Sequence, residues 1–280
     1  MKRYRIHHIT GFKYSELATA SYNEIRMLPS REDNQIVLSS QIEIQPNAPH
    51  QEFTDFFNTR VVAFDVLEEH HELNISASNL VEVRNRTTDA LEISWEQVST
   101  EIETSIMLTD AVTQTKRTHI PNDLAKFAQK QAETLSIDES ALEIFRYIHS
   151  RMSYLPGQTG VHTVAAESWA MKAGVCQDFA HLAIGALRAI GIPSRYVSGY
   201  LHPELDPKLG VTVVGESHAW VEWFSGDWKA YDPTNDVHVQ DRHISVARGR
   251  DYEDVAPLRG VFAGKGVSEL FVSVEITREA

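Results

Sequence analysis

Apolar and polar residues alternate in Ser40 to Ile44 and Leu73 to Ser76, within a first ~110 positions made of short runs rich in β-branched and aromatic residues. Gln35 to Ile44, Arg60 to Leu67, Glu72 to Val83 and Ala90 to Val98 each read as a strand. Turn-formers such as Pro46, Asn47 and Pro49 punctuate these runs. An antiparallel sheet or sandwich is expected. After Thr118-His-Ile-Pro121 the period lengthens, and Asn122 to Thr134 and Glu139 to Met152 read as helices. The second carries Ala141, Leu142, Phe145 and Ile148 on one face. Strands follow, the last alternating at Leu270, Val272, Val274 and Ile276. This order predicts a β-rich amino-terminal domain over residues 1–112 and an α+β domain over 113–280.

A chain of 280 residues is long enough for two cores, and 42% hydrophobic with 23% charged residues is ordinary globular composition. The formal net charge of -13 opposes binding to phosphate backbones and anionic membranes, and no basic patch offsets it. Nucleic acid and membrane are therefore not expected partners, and the acidic surface leans towards basic or neutral substrates. No apolar run approaches the ~20 residues of a membrane span. The opening MKRYRIHHITGFKY has no apolar stretch of the kind a secretory leader carries, so a cytoplasmic location is expected. The single cysteine, Cys176, rules out an intrachain disulfide and any multi-cysteine zinc pattern.

Cys176 stands at the start of a helical pattern. Phe179, Leu182, Ala183, Ala186, Leu187 and Ile190 recur at steps of three and four, and Gly191-Ile-Pro193 ends the run. The thiol shares the inward face. Unpaired N–H groups and the positive end of the helix dipole favour thiolate there. Asp178, in the first turn, opposes it, so a histidinium partner is required. Taken alone, a cysteine at a helix start is commonly inert core filling.

Glu216-Ser-His-Ala-Trp-Val-Glu-Trp-Phe224 and Trp228-Lys-Ala-Tyr-Asp-Pro-Thr-Asn235 read as two strands joined by Ser225-Gly-Asp227. An odd-length loop pairs Phe224 with Trp228, Glu222 with Ala230 and Trp220 with Asp232. His218 and Asp232 then share a face as diagonal neighbours, about 7 Å apart at the backbone. A two-residue turn would place them on opposite faces. Separately, a strand histidine is more often a packed residue and an Asp before Pro a turn-former. Together with an inward cysteine they suggest a site.

GVCQDFAH, GIPSRYVSGY, SHAWVEW and YDPTND resemble the successive signature blocks of bacterial transglutaminase-like proteins. HHELNISASNLVEV and GRDYEDVAPLRGVFAG resemble the amino-terminal β domain and carboxy-terminal block of the same family, so the resemblance spans nearly the whole chain. The chain departs from the family at Phe57-Asn58, where Gly-Asn is usual. The resemblance implies a papain-like, transglutaminase-like core with a cysteine-bearing helix packed on an antiparallel sheet. It also implies that Cys176 is the nucleophile, His218 the base and Asp232 the orienting acid. No cofactor or metal is implied, and the implied substrate is a peptide, a protein or a small amide. Hydrolysis of the thioester by water is the first expectation, with transfer to an amine as the alternative.

The Cys176 backbone N–H is the first expected oxyanion donor. Tyr154, Gln158 and Trp169 are weaker side-chain candidates for a second. Arg250 to Asp254 could rim the cleft or form a solvated turn. His181, five residues past Cys176, lies about 140° around the helix and is set aside. Two rivals stand beside this reading. One is a zinc site built from histidines with Asp232, although no HExxH spacing occurs. The other is a catalytically idle member that binds peptides.

Overall fold

The computed structural model describes residues 1–85 and 92–280, the side chain of Glu216 excepted. Six strands come first: β1 (Lys2–Ala18), β2 (Ala20–Leu28), β3 (Gln35–Gln45), β4 (His50–Thr54), β5 (Arg60–Val66) and β6 (His70–Val83). Helices α1 (Trp95–Thr104), α2 (Ile106–Val112), α3 (Asn122–Ala132) and α4 (Ile137–Arg151) follow. Then come β7 (Ser153–Tyr154), α5 (Ala165–Met171), β8 (Ala173–Gly174) and α6 (Cys176–Arg188). Strands β9 (Ser194–Leu201), β10 (Thr212–Phe224), β11 (Trp228–Asp232), β12 (Val237–His238) and β13 (His243–Gly249) come next. The chain closes with α7 (Tyr252–Val255), β14 (Leu258–Ala263) and β15 (Ser268–Arg278).

The architecture is α+β with antiparallel sheets, as the patterning predicts. One large sheet runs β12-β11-β10-β15-β1-β6-β3, with β9 joined to β10 and β13 to β9. A second runs β14-β2-β5-β4. The late strands β15 and β14 pair with β1 and β2, so both sheets of the amino-terminal half are completed from the far end of the chain.

Two apolar cores follow. Ile25, Met27, Val62 and Phe64 meet Leu73, Ile75 and Ala77 between the two sheets. Further along the same face of β1 and β6, Tyr4, Ile6, Val81 and Val83 join Ile144, Phe145, Leu182 and Ala186 of the helices. Strand β15 changes role along its length. Val274 and Ile276 are buried, while Leu270 and Val272 are exposed despite the same alternation.

One expected strand is a correction. Of Ala90 to Val98, residues 90 and 91 lie outside the described residues, and Trp95 to Val98 form the first turn of α1. Ser94 accepts from the Gln97 N–H while the Gln97 side chain accepts from the Ser94 N–H. That capping box starts a helix where β-branched composition alone suggests a strand. Ser136 and Glu139 cap α4 in the same way. The unusual Phe57-Asn58 pair occupies a turn in which Asn58 adopts φ 63°, a conformation asparagine tolerates.

Charged side chains fasten the first strands to the later ones. Arg248 of β13 donates to both oxygens of Glu32 (2.6 and 2.7 Å) and both of Glu222 (2.8 and 2.9 Å). Arg195 adds a bond to Glu222 at 2.6 Å. Glu222 is buried, so removing the guanidinium strands charge away from water. Arg248→Met should therefore lower unfolding free energy by about 3–5 kcal/mol, measured by urea denaturation.

Candidate active site

Helix α6 begins at Cys176, and the Cys176 and Gln177 N–H groups have no acceptor within the helix. The Asp178 carboxylate turns back to accept from the Val175 N–H (2.8 Å) and from the Thr159 hydroxyl (2.6 Å). Gly174 leaves room for it, since a Cβ there would meet Asp178 Oδ2 at 2.5 Å. Burial pushes the Asp178 carboxyl up, against the pull of these hydrogen bonds. Asp178 thus serves as the cap of the helix that Cys176 begins.

Strands β10 and β11 pair Phe224 with Trp228 and Glu222 with Ala230 across the three residues Ser225 to Asp227. This is the register anticipated from the loop length. His218 and Asp232 meet, Nε2 to Oδ2 at 2.7 Å. The position across from His218 on β9 is Gly199, where a Cβ would strike the Ile244 carbonyl oxygen at 2.1 Å and the Trp220 ring at 2.6 Å.

Asp232 is fully buried and is bonded from five directions. Oδ1 accepts from the backbone N–H groups of Thr234 (3.0 Å) and Asn235 (3.2 Å). Oδ2 is bonded to His218, to Asn235 Nδ2 (2.7 Å) and to His243 Nε2 (3.3 Å). Burial alone would raise its pKa, but the two imidazoles hold it far below the usual carboxylate range. Burial likewise acts to lower His218. The Asp232 charge and hydrogen bond, with a further contribution from Cys176, outweigh it and push His218 up to about 10. With Nε2 on Asp232, the ring nitrogen left for the thiol is Nδ1.

Sequence reasoning missed His243 and assigned no role to Asn235. His243 Nδ1 accepts from the Gln240 N–H at 3.2 Å, which puts the ring proton on Nε2, pointing at Asp232. Burial pushes His243 down, so it donates as a neutral ring. Only the pairing of β13 with β9 brings it there. His218, Asp232 and His243 bring their ligand atoms within 4.8 Å of one another, the nearest approach to a metal cluster among the described residues. Their direct hydrogen bonds, and the proton on His243 Nε2, are those of a carboxylate clasped by two rings.

Cys176 and His218 line one cavity of about 500 Å³, with Tyr154, Tyr196, Tyr252 and Val272 on its walls. A second cavity of similar size shares Tyr154, Val214, Gly215 and His218 and continues to Thr234 and Arg242. Of the weaker candidates, Tyr154 reaches the cavity wall and Gln158 does not. Trp169 donates instead to Asp123 at 2.9 Å. Arg250 pairs with Asp254, and Tyr252 between them lines the cavity. His181 is buried and does not line the cavity; it accepts from the Tyr252 N–H at 3.1 Å and is pushed down to about 3, chiefly by burial.

A family model described as the transglutaminase-like superfamily matches residues 123–233, and one described as the bacterial transglutaminase-like N-terminal region matches residues 4–82. An uncharacterised protein of Mycobacterium leprae is 41% identical over 283 residues, covering 100% of both chains. The chain belongs to the transglutaminase-like superfamily. A further uncharacterised relative, from Mycobacterium tuberculosis, is 31% identical over 98% of this chain and 92% of its own. A protein-glutamine gamma-glutamyltransferase of Pseudomonas aeruginosa is 31% identical over 113 residues, 39% of this chain and 17% of that one. The transglutaminase-like fold recurs in a candidate cysteine protease from Cytophaga hutchinsonii, with TM-score 0.77, 23% identity, and coverage of 99% of this chain and 90% of that one. Among the described residues, no helix is long and apolar enough to cross a membrane.

The shifts at His218 and Asp232 make stability depend on pH. His218 is raised above its ordinary 6.5, so its contribution is complete below that value and is lost as pH rises through about 10. Asp232 is depressed, so its contribution holds above the ordinary carboxylate range and is lost as pH falls below it. The stability gap between the unaltered protein and His218→Gln should narrow between pH 6.5 and 10, followed by urea denaturation at fixed pH.

Proposed function

We propose that this protein is a cysteine-dependent hydrolase of amide bonds, with Cys176 as nucleophile, His218 as acid and base, and Asp232 as the orienting carboxylate. The observation that carries this reading is the 2.7 Å bond from His218 to a buried, five-partnered Asp232, on the wall of the cavity that Cys176 also lines. The Cys176 thiolate attacks the carbonyl carbon, and its backbone N–H at the helix start receives the developing oxyanion. His218, held charged by Asp232, gives its proton to the departing amine. A thioester remains, and water activated by His218 releases the acid. Asp232 fixes the ring's orientation and stabilises its charged form.

Transfer of the acyl group to an amine is the second reading, favoured by 31% identity over 113 residues to a protein-glutamine gamma-glutamyltransferase. The two differ only in what reaches the thioester. A peptide, a protein or a small amide would serve as acyl donor, and a cytoplasmic setting would keep the lone thiol reduced.

Incubation with a peptide library followed by mass spectrometry should find an acyl group on Cys176, and the released products should separate hydrolysis from transfer. His218→Ala and Asp232→Asn should each lower turnover by about 10²-fold or more. Alkylation by iodoacetamide supplies a substrate-free check. The rate at pH 6.5 should drop in His218→Ala to that of cysteine in the unfolded chain; an unchanged pH profile in that variant would sink the proposal.

A further inference from the structure

Arg242 is a buried guanidinium poorly matched to its surroundings. Its residue is only 7% exposed, yet no carboxylate lies within ion-pair distance among the described residues. Nη1 donates to the His202 carbonyl at 3.1 Å, while Nε is buried with no hydrogen-bond partner. The hydroxyl of Thr234 is also buried and unpartnered. Both residues line the cavity that begins at His218, and no Asp or Glu stands on its wall. A buried cation and a buried hydroxyl, both wanting an acceptor in one cavity, are the complement of an anionic group that accepts from both.

The place of this cavity says which part of a substrate enters it. Cys176 lines the neighbouring cavity and not this one, whereas His218 lines both. His218 protonates the leaving nitrogen, so the amine half of the scissile bond departs past its ring. We propose that the amine half carries a carboxylate, bound by Arg242 with Thr234, and that the bond attacked joins an acyl group to an amino acid at a free carboxy terminus. The proposal rests on the reading of Cys176 and His218 given above. In the step, the sulfur–carbon bond forms as the carbon–nitrogen bond breaks, the electron pair of that bond goes to nitrogen, and His218 supplies the proton. An amino acid leaves with its carboxylate on Arg242, and water then cleaves the thioester. The acidic surface leans towards basic or neutral substrates, but the groups lining this cavity reverse that sign locally.

Haloalkyl probes test this without a known substrate. A series of ω-iodo carboxylic acids of increasing chain length is compared with the matching carboxamides, reading the rate of Cys176 modification. At the best length the acid should react about tenfold faster than its amide, as one charge-assisted hydrogen-bonded anchor implies, and its rate should saturate. Glutathione supplies the acid-to-amide ratio of an unassisted thiol. Arg242→Gln and Thr234→Val should each reduce the protein's ratio, with Arg242→Lys retaining part of it. A ratio no greater than that of glutathione at every length overturns the proposal, as does a ratio unchanged in a folded Arg242→Gln. Should that variant not fold, the unaltered protein and Thr234→Val decide. Amide-probe alkylation that depends on His218 but shows no acid preference removes only this inference. Alkylation independent of His218 removes the nucleophile assignment itself.

Discussion

Everything at the candidate site depends on keeping one carboxylate charged where water cannot reach it. Burying an ionised carboxylate costs several kcal/mol unless hydrogen bonds replace its hydration. Asp232 obtains those bonds from the turn that follows it, from β10 and from β13. The donors come from three separate local structures, so these elements must converge for the carboxylate to be satisfied in full. The result is an imidazole held in one orientation with its charge favoured, facing a thiol at the start of a helix.

The amino-terminal half bears on this arrangement through its seam with the strands that carry the site. Strand β15 lies between β1 and β10, and β13 is tied through Arg248 to Glu32. Gln35 reinforces the seam by donating to the Ser245 carbonyl (2.8 Å) and accepting from its N–H (2.9 Å). His243 sits two residues before Ser245 on β13, so a strand docked from the first half of the chain helps place a donor on Asp232. The β-rich half thus continues and braces the sheet that carries the site.

Much of this could be read from residue order, because the decisive relations were local. The start of α6 at Cys176, and the three-residue loop that puts His218 and Asp232 on one face, both follow from short-range periodicity. His243 and Arg242 escaped because their meaning depends on β13 pairing with β9, a contact between segments some forty residues apart with no motif to announce it. The strand expected through Val98 failed for the opposite reason. A local cap, Ser94 with Gln97, overrode the composition around it. The exposure of Val272 beside the cysteine is a third case, since alternation predicts sidedness but not which side meets a cleft.

The pairing of β1 with β15 and of β2 with β14 joins residues more than two hundred positions apart. Such contacts make a chain slow to reach its native state, because long loops must close before the pairing rewards them. During synthesis the first strands emerge long before their partners exist. Until β14 and β15 arrive, β1 and β2 each present an open edge, the kind of surface that recruits other strands. The late segments therefore act as a seal as well as a support: a nascent chain can form the cysteine helix early, yet the sheet behind it closes only when its final strands are threaded into place.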